Sequence, residues 1–353
     1  MLTETLIIGG GLSGLALAAQ LAAQGRDFLL VEARDRFGGR ILTLREGAAH
    51  FDLGPTWFWP GQPRISALTE RLGLSRFDQF CQGDVIFENE QGRVHRGRGY
   101  ASMQRSWRLQ GGLGALIAAL EKKVPKQQLR VATTIRTLRR EATGIMAGSE
   151  DGMSILARRV ILALPPRVAA RMSFTPTLPI AALTALKEVP TWMAGHAKAV
   201  AVYERPFWRE AGLSGDAMSR HGPMVEIHDA SPDTAGPYAL FGFIGVPPRA
   251  RSDEQVLRRQ IQTQLIRLFG PEAATPSALW LKDWAYDRLT ATELDAQAPH
   301  VHPQYGLPRI LNGLWGGDLI FAGTEVAPQF GGYLEGALEA SELALASLLH
   351  LER

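Results

Sequence analysis

A glycine-rich stretch near the start of the sequence, TLIIGGGLSG at residues 5–14, constrains the fold more than any other feature. Residues 5–8 are an apolar run that suits a strand buried on both faces. Gly9, Gly11 and Gly14 have the spacing G-x-G-x-x-G. In that spacing the first glycine permits a tight turn, the second lets backbone approach a pyrophosphate, and the third lets a helix pack on the strand. The stretch therefore predicts the strand–turn–helix start of a dinucleotide-binding fold.

The residues that follow complete this unit. Strong helix formers at 12–24 predict a helix that ends at Gly25, and residues 27–31 predict a second strand. Glu32 stands at the end of that strand, 18 positions after Gly14, where an acidic side chain would bind a ribose hydroxyl. A glycine-rich turn in an unrelated α/β protein would leave the position of this acid unexplained. The complete unit therefore favours a dinucleotide cofactor.

Composition narrows the class of protein and its partners. A chain of 353 residues is too long for one compact core, so we expect two domains. The net charge is only +3, which argues against a nucleic-acid or membrane-surface partner. The single cysteine, Cys81, excludes internal disulfides and thiolate metal clusters and fits a reducing compartment. The sequence shows no signal peptide, and no run approaches the roughly 20 apolar residues of a membrane helix. We therefore expect a cytoplasmic protein. The sequence does not specify its oligomeric state.

The segment EARDRFGGR at residues 32–40 distinguishes between dinucleotide cofactors. Gly38, Gly39 and Arg40 suit a chain that bends around a longer cofactor and meets additional phosphate charge. The segment resembles the E-A-x-x-R-x-G-G-R sequence of the flavin-containing amine oxidase family. This resemblance implies FAD as the cofactor.

The resemblance covers almost the whole chain, in the family's order. FDLGPTWFWPGQPRI at 51–65 is similar to the segment that passes the flavin ring, although Pro55 stands where a glycine is common. RLQGGLGALIAALEKKVP at 108–125 is similar to the family's glycine turn and the helix after it. Two strands then return to the nucleotide domain, and the resemblance implies that Ile135 contacts the adenine through its backbone.

The C-terminal stretch LIFAGTEVAPQFGGYLEGALEASELAL, residues 319–345, carries the second part of the resemblance. It predicts a strand at 319–322 and a helix from Tyr333 onward, whose N-terminus would face the electron-rich N1–C2=O edge of the flavin. Glu325 resembles the acid that holds the ribityl–pyrophosphate region. Together the segments predict these cofactor-binding residues: Gly9, Gly11, Leu12, Ser13, Gly14, Glu32, Ala33, Arg34, Gly38, Gly39, Arg40, Gly54, Pro55, Thr56, Trp57, Ile135, Gly323, Thr324, Glu325, Gly332, Tyr333 and Leu334.

The resemblance implies an α/β fold with two domains. A Rossmann-type FAD-binding domain, like the nucleotide domain of glutathione reductase, is expected over residues 1–75, 106–171 and 299–353. An α+β substrate domain of mixed sheet and helices is expected over residues 76–105 and 172–298.

The substrate domain is expected to have a slight roof. GDVIFENEQGRVHRG at 83–97 predicts a single hairpin with its turn near Gly92, where many family members have a long helical insertion. The pattern also predicts a hairpin around 224–246 and a helix at 253–269. The active site should therefore be comparatively open.

The stretch AGHAKAVAVYERPFW, residues 194–208, predicts an apolar strand at 197–203 that carries one lysine, Lys198. Burying an ammonium group without a partner is costly, so this lysine is either a solvated strand end or a charge placed for chemistry. The Pro-Phe-Trp cluster at 206–208 matches the family's spacing. The resemblance then implies that Lys198 holds a water against flavin N5 and helps the reduced flavin react with oxygen.

The walls of the substrate pocket are only partly specified. Tyr333 matches one wall of the aromatic cage that guides the amine in this family. The opposite wall normally follows the region of Trp284, but RLTATELD at 288–295 contains no aromatic residue. We expect a cage that is half open or completed by Trp57. His196 shares the strand face with the lysine and either lines the pocket or is a core histidine.

The chemistry implied by the resemblance is oxidation of a small-molecule amine. Hydride passes from the carbon that bears the neutral amine to the flavin, and O2 or another acceptor reoxidises it, with H2O2 as the product from O2. FAD should be noncovalent because no cysteine is near. His300 and His302 lack a third ligand, so we predict no metal site. Two alternatives remain: an FAD-dependent C–C desaturase or porphyrinogen-type oxidase, and a flavin-binding protein without turnover.

Overall fold

The computed structural model describes residues 1–233, 235–299 and 301–351. These residues form nineteen β-strands and eight α-helices, with short 3₁₀ turns between them. The strands are β1 (Leu2–Ile8), β2 (Phe28–Val31), β3 (Thr43–Glu46), β4 (Ala49–Asp52), β5 (Arg76–Asp78), β6 (Asp84–Glu88), β7 (Val94–Gly97), β8 (Trp107–Leu109), β9 (Leu129–Arg130), β10 (Ile135–Glu141), β11 (Gly144–Ser149), β12 (Ser154–Leu162), β13 (Ser173–Thr175), β14 (Ala197–Tyr203), β15 (Leu213–Ser219), β16 (Met224–Asp229), β17 (Tyr238–Ile244), β18 (Ala278–Asp283) and β19 (Leu319–Phe321). The helices are α1 (Leu12–Ala23), α2 (Pro63–Arg71), α3 (Leu113–Glu121), α4 (Pro166–Ala169), α5 (Ile180–Glu188), α6 (Phe207–Glu210), α7 (Glu254–Phe269) and α8 (Leu334–His350).

The first sheet has eight strands in the order β13-β10-β11-β12-β1-β2-β9, and β19 also pairs with β12. β2, β1, β12 and β19 are parallel, and their apolar sequences are buried because the sheet is covered on both faces. Ile7 packs in a cluster with α1, α3 and α8, whereas Leu6 and Ile8 pack in the cluster that includes α5. The parallel strands end at one edge of the sheet, where α1 begins.

The second sheet has seven strands in the order β18-β14-β17-β16-β15-β6-β7. All seven residues of β14 are buried, because both faces of this strand are covered. Ala199 and Ala201 pack in the cluster that includes α7, whereas Val200 and Val202 pack with Trp57. This alternation follows from the two-residue period of a strand, and it directs Lys198 to the same face as the two valines.

The structure confirms the predicted α/β architecture and most predicted elements. The helix predicted at 12–24 is α1, the strand at 197–203 is β14, and the helix at 253–269 is α7. β6 and β7 form the predicted hairpin, and β16 and β17 form the second one. The division into an FAD-binding and a substrate domain stays a prediction. β13 pairs with β10 in the first sheet, although it lies within the segment 172–298.

Neither a membrane-spanning helix nor a metal cluster is found in the described part of the chain. No helix within residues 1–233, 235–299 and 301–351 has the length and apolar character that crossing a bilayer requires. Over the same residues, no three His, Cys, Asp or Glu side chains are grouped so that they could hold a metal ion. His300, one of the two histidines weighed for a metal, lies outside the described residues.

Candidate active site

Residues of both sheets line a large cavity of about 1410 Å³. It is larger than the roughly 300–1,000 Å³ of an ordinary small-molecule pocket, so it has room for a dinucleotide and a substrate together. Nearly all of the residues predicted for the cofactor and the substrate line it. Gly14, Glu325 and His196 are the predicted site residues that do not line it.

The glycine turn shapes one end of the cavity. Gly9 has φ +111°, and a Cβ there would lie 2.5 Å from the carbonyl oxygen of Ala163. A Cβ at Gly14 would lie 2.0 Å from the carbonyl oxygen of Gly9, so α1 can approach the strand only with glycine there. α1 begins after Gly11 with no side-chain cap, and Leu12 and Ser13 line the cavity. Its free N–H groups are therefore available to an anionic ligand.

Glu32 is held in place by the backbone around it. Its Oε2 accepts a hydrogen bond from the N–H of Gly10 at 2.7 Å, and its Oε1 accepts one from the N–H of Arg34 at 2.8 Å. A carboxylate can accept about four hydrogen bonds, so lone pairs remain for a ligand in the cavity that Glu32 lines. The two backbone contacts orient this acid before any ligand binds.

The C-terminal motif meets the first forty residues at the same cavity. Arg40 Nη1 lies 2.6 Å from Oε1 of the fully buried Glu325. Glu325 Oε2 and Thr56 Oγ1 are buried without a hydrogen-bond partner among the described residues. α8 begins after Tyr333 with no side-chain cap, and its first residues line the cavity. Two uncapped helix starts and an unpartnered hydroxyl on one large cavity fit FAD, whose phosphates and flavin need donors of this kind.

Lys198 lines the same cavity. It is 5% exposed, and its Nζ donates a hydrogen bond to the carbonyl oxygen of Gly54 at 2.6 Å. Burial lowers the pKa of Lys198 to about 8, although the charge of Asp52 offsets part of this effect. The ring of Phe243, its register partner on β17, lies 5.3 Å from Nζ. The strand-end interpretation therefore does not describe this lysine.

The aromatic wall contains a stacked pair that the sequence did not suggest. The imidazole of His302 stacks on the ring of Tyr333, with centroids 4.7 Å apart and an interplanar angle of 11°. Trp192 contacts the same imidazole edge-on at 4.9 Å, and Trp192 and Tyr333 line the cavity. Trp57 also lines the cavity, and its ring contacts Phe241 edge-on at 5.1 Å. Sequence reasoning considered His302 only for a metal site and missed this contact.

His196 is better described as a core histidine than as a pocket residue. It does not line the cavity, and its Nδ1 is buried without a partner among the described residues. Burial and the charges of Lys198 and Arg251 lower the pKa of His196 to about 4. Its ring is therefore neutral at pH 7.

Trp284 lines the cavity where the sequence predicted, and its Nε1 donates to the carbonyl oxygen of Leu53 at 2.9 Å.

Sequence reasoning missed several apolar residues of the cavity wall. Phe243 lies in the predicted hairpin around 224–246, but its pairing with Lys198 on β14 was not predicted. The others lie in loops that carry no repeating pattern. The missed wall residues are Trp59, Met103, Trp192, Met193 and Phe243.

The chain matches known proteins over nearly its whole length. The family model for flavin containing amine oxidoreductases matches residues 12–104 and 98–346. The flavin-containing amine oxidase A of Sus scrofa is 25% identical over 99% of this chain and 85% of that protein. The structure of cyclohexylamine oxidase from Brevibacterium oxydans has a TM-score of 0.84 and 21% identity, covering 99% of this chain and 100% of that one. Wild-type putrescine oxidase bound to putrescine has a TM-score of 0.83 and 19% identity, with both chains fully covered.

Proposed function

The chain belongs to the flavin-containing amine oxidoreductase family, and from this premise we propose that it is an FAD-dependent oxidase of small apolar amines. FAD, when bound, supplies the hydride acceptor. One observation carries the proposal: the buried Lys198 and the glycine turn line the same cavity. This places a cationic group and an anion-binding turn within one ligand-sized space.

The residues that would hold FAD divide by chemistry. The uncapped starts of α1 and α8 offer backbone N–H groups to negative charge. Glu32 offers carboxylate lone pairs to hydroxyl groups, and Thr56 offers an unpartnered hydroxyl. No cysteine lies at the cavity, since the sole cysteine is Cys81, so binding is noncovalent.

The amine would bind between apolar side chains in its neutral form. Trp57, Trp192, Phe243 and Tyr333 line the cavity, and the ammonium of Lys198 would repel a second cation there. Desolvation also disfavours a charged amine among aromatic rings. The protein's task is then to orient the C–H bond next to the amine, which is the largest contribution available without a strong base.

Lys198 would position a water and favour reaction with O2. Its hydrogen bond to Gly54 uses one of three ammonium donors, which leaves two for a water in the cavity. A buried cation also stabilises the negative charge that develops on oxygen as electrons reach it. The O2 acceptor and a cytoplasmic location remain parts of this proposal, on the sequence grounds given above.

The test is anaerobic mixing of the yellow holoprotein with a panel of amines. We expect cyclohexylamine and benzylamine to bleach the flavin absorbance, and putrescine to do so only at about hundredfold higher concentration, since the ammonium of Lys198 would repel its second ammonium. Release of FAD on acid treatment would establish noncovalent binding. A holoprotein that no amine bleaches would contradict the proposed function.

A further inference from the structure

One wall of the cavity is a stretch of irregular chain, residues 287–295, which we call the 287–295 strap. Residues 288–293 all line the cavity, and the strap ends in a short 3₁₀ turn, Glu293–Asp295. It follows β18 and Trp284, and Glu32 and the glycine turn line the same cavity. This is the same RLTATELD stretch that lacks the expected aromatic residue.

Arg34, two residues after Glu32, holds the beginning of the strap. Its Nη2 lies 2.7 Å from Oδ1 of Asp287 and donates to Oγ1 of Thr290 at 3.1 Å. Asp287 also accepts a hydrogen bond from Lys282, whose Nζ lies 2.7 Å from Oδ2. Burial alone would raise the pKa of Asp287, but the hydrogen bond from Lys282 and the charge of Arg34 lower it, so the carboxylate is ionised. A charged latch thus joins the strap to the cofactor-binding segment.

Two further arginines hold the rest of the strap. Arg171 Nη1 donates to the carbonyl oxygens of Arg288 and Ala291, each at 3.2 Å. Arg167 Nη1 donates to the carbonyl oxygen of Leu294 and lies 2.6 Å from Oδ1 of Asp295. Both arginines follow β12, one of the central strands of the first sheet. The strap therefore lines the cavity and is held at both ends by arginines that follow strands of the first sheet.

The far end of the strap is rigid. The side chain of Asp295 is 2% exposed, and its Oδ2 accepts hydrogen bonds from the N–H and the hydroxyl of Thr292. Its Oδ1 accepts a third hydrogen bond, from the N–H of Thr191 next to Trp192. Local hydrogen bonds of this kind fix a short turn. At the Asp287 end, the carboxylate of Asp287 joins the strap to two other segments through Arg34 and Lys282.

We propose that the 287–295 strap retains FAD and that the Arg34–Asp287–Lys282 latch sets the rate at which FAD leaves. A cofactor between the glycine turn and the strap is released when the strap separates from the arginines of the first sheet. Asp287 acts as a positioning residue, because it holds Arg34 and the strap instead of the reacting atoms. This inference rests on the proposed FAD cofactor but not on amine oxidation.

The experiment measures FAD dissociation from Asp287→Asn holoprotein, by diluting it into an excess of an apo-flavoprotein that binds FAD tightly, as a trap, and following the loss of bound flavin. Loss of a charge-assisted hydrogen bond should raise the dissociation rate about tenfold. Asp287→Glu should recover most of the wild-type rate, since it keeps the charge. Thr290→Val, which removes the second partner of Arg34 without changing charge, should raise the rate about threefold. The matched control is Glu210→Gln, which removes an exposed ion pair with Arg205 and should leave the rate unchanged.

The salt dependence of the FAD dissociation rate distinguishes loss of the ion pair from a general loss of packing. Added salt should speed FAD loss from the wild type more than from Asp287→Asn, because the variant lacks the ion pair that salt screens. An unchanged dissociation rate in both Asp287→Asn and Thr290→Val would overturn the proposal. A wild-type protein that binds no FAD would overturn the strap and the proposed function together. A wild type that retains FAD through the latch but is never reduced by amines would contradict only the function.

Discussion

Two groups of cavity residues, which we call the glycine end and the lysine end, present different chemistry to a ligand. The glycine end, residues 9–14 and 32–40, presents mostly backbone: a turn that only glycine can form and the uncapped start of α1. The lysine end presents side chains from distant parts of the chain, some on strands of the second sheet and others outside the strands. The lysine end consists of Trp57, Trp192, Lys198, Phe243 and Tyr333.

This difference determines what a change at each end can do. At Gly9 and Gly14 of the glycine end, a single added carbon would lie 2.5 Å and 2.0 Å from a backbone carbonyl oxygen. At the lysine end a replaced side chain leaves the cavity and the neighbouring rings in place. We therefore expect substitutions at the glycine end to abolish binding, and substitutions at the lysine end to change individual rate constants.

The largest effect should come from Gly14→Ala. Its Cβ would lie 2.0 Å from the carbonyl oxygen of Gly9, so the turn must distort. We expect FAD affinity to fall at least about a hundredfold, as measured by quenching of flavin fluorescence. Gly97→Ala on β7 is the matched control, because a Cβ added at Gly97 would meet nothing within 4 Å. A Gly14→Ala protein that purifies with full FAD would contradict the role assigned to the turn.

The next largest effect should come from Lys198→Met, which removes the charge and keeps the length of the side chain. Reoxidation of the reduced protein by O2 should slow by about a hundredfold, since one buried electrostatic contact is lost. Reduction by the amine should change little, which makes it the internal control in stopped-flow measurements. Equal slowing of both half-reactions would show that the lysine orients the substrate instead.

The two ends also differ in how much of their structure could be predicted from the sequence. The elements β1, α1, β2 and β14 were predicted correctly because their signals are local: a fixed glycine spacing and runs of apolar residues. The cofactor roles of the glycine turn and of Glu32 stay predictions. The contact of His302 with Tyr333 was not predicted, because it joins residues 31 positions apart through a loop without periodicity. Side-chain walls depend on tertiary packing, which no single segment encodes.

A pH titration of reoxidation gives a smaller and more specific effect. Burial lowers the pKa of Lys198 to about 8, so the lysine loses its charge as the pH rises through that value. The rate of reaction with O2 should therefore be highest below pH 8 and should fall above it. In Lys198→Met this step should be absent, whereas a step that persists there would assign the titration to another group.

The same pKa affects stability in a direction that can be checked. The folded value of about 8 lies below the ordinary 10.5, so the unfolded chain binds more protons between these values. Wild-type stability should consequently rise relative to Lys198→Met as the pH increases from 8 to 10, as measured by paired thermal melts. Parallel curves for the two proteins would mean that Lys198 is not desolvated.

The smallest effect tests whether the lysine end needs its stacked wall. His302 lies flat against Tyr333 at 4.7 Å, and a stacked pair contributes about 0.5–1.5 kcal/mol beyond its buried area. His302→Ala removes the ring that stacks on one face of Tyr333. It should raise KM for an apolar amine by about two- to tenfold and leave FAD affinity unchanged. His302→Phe keeps an aromatic ring in the stack and should restore KM. If phenylalanine behaves like alanine, the imidazole acts through its nitrogens, and the lysine end recognises its ligand by polar contacts as well as by apolar surfaces.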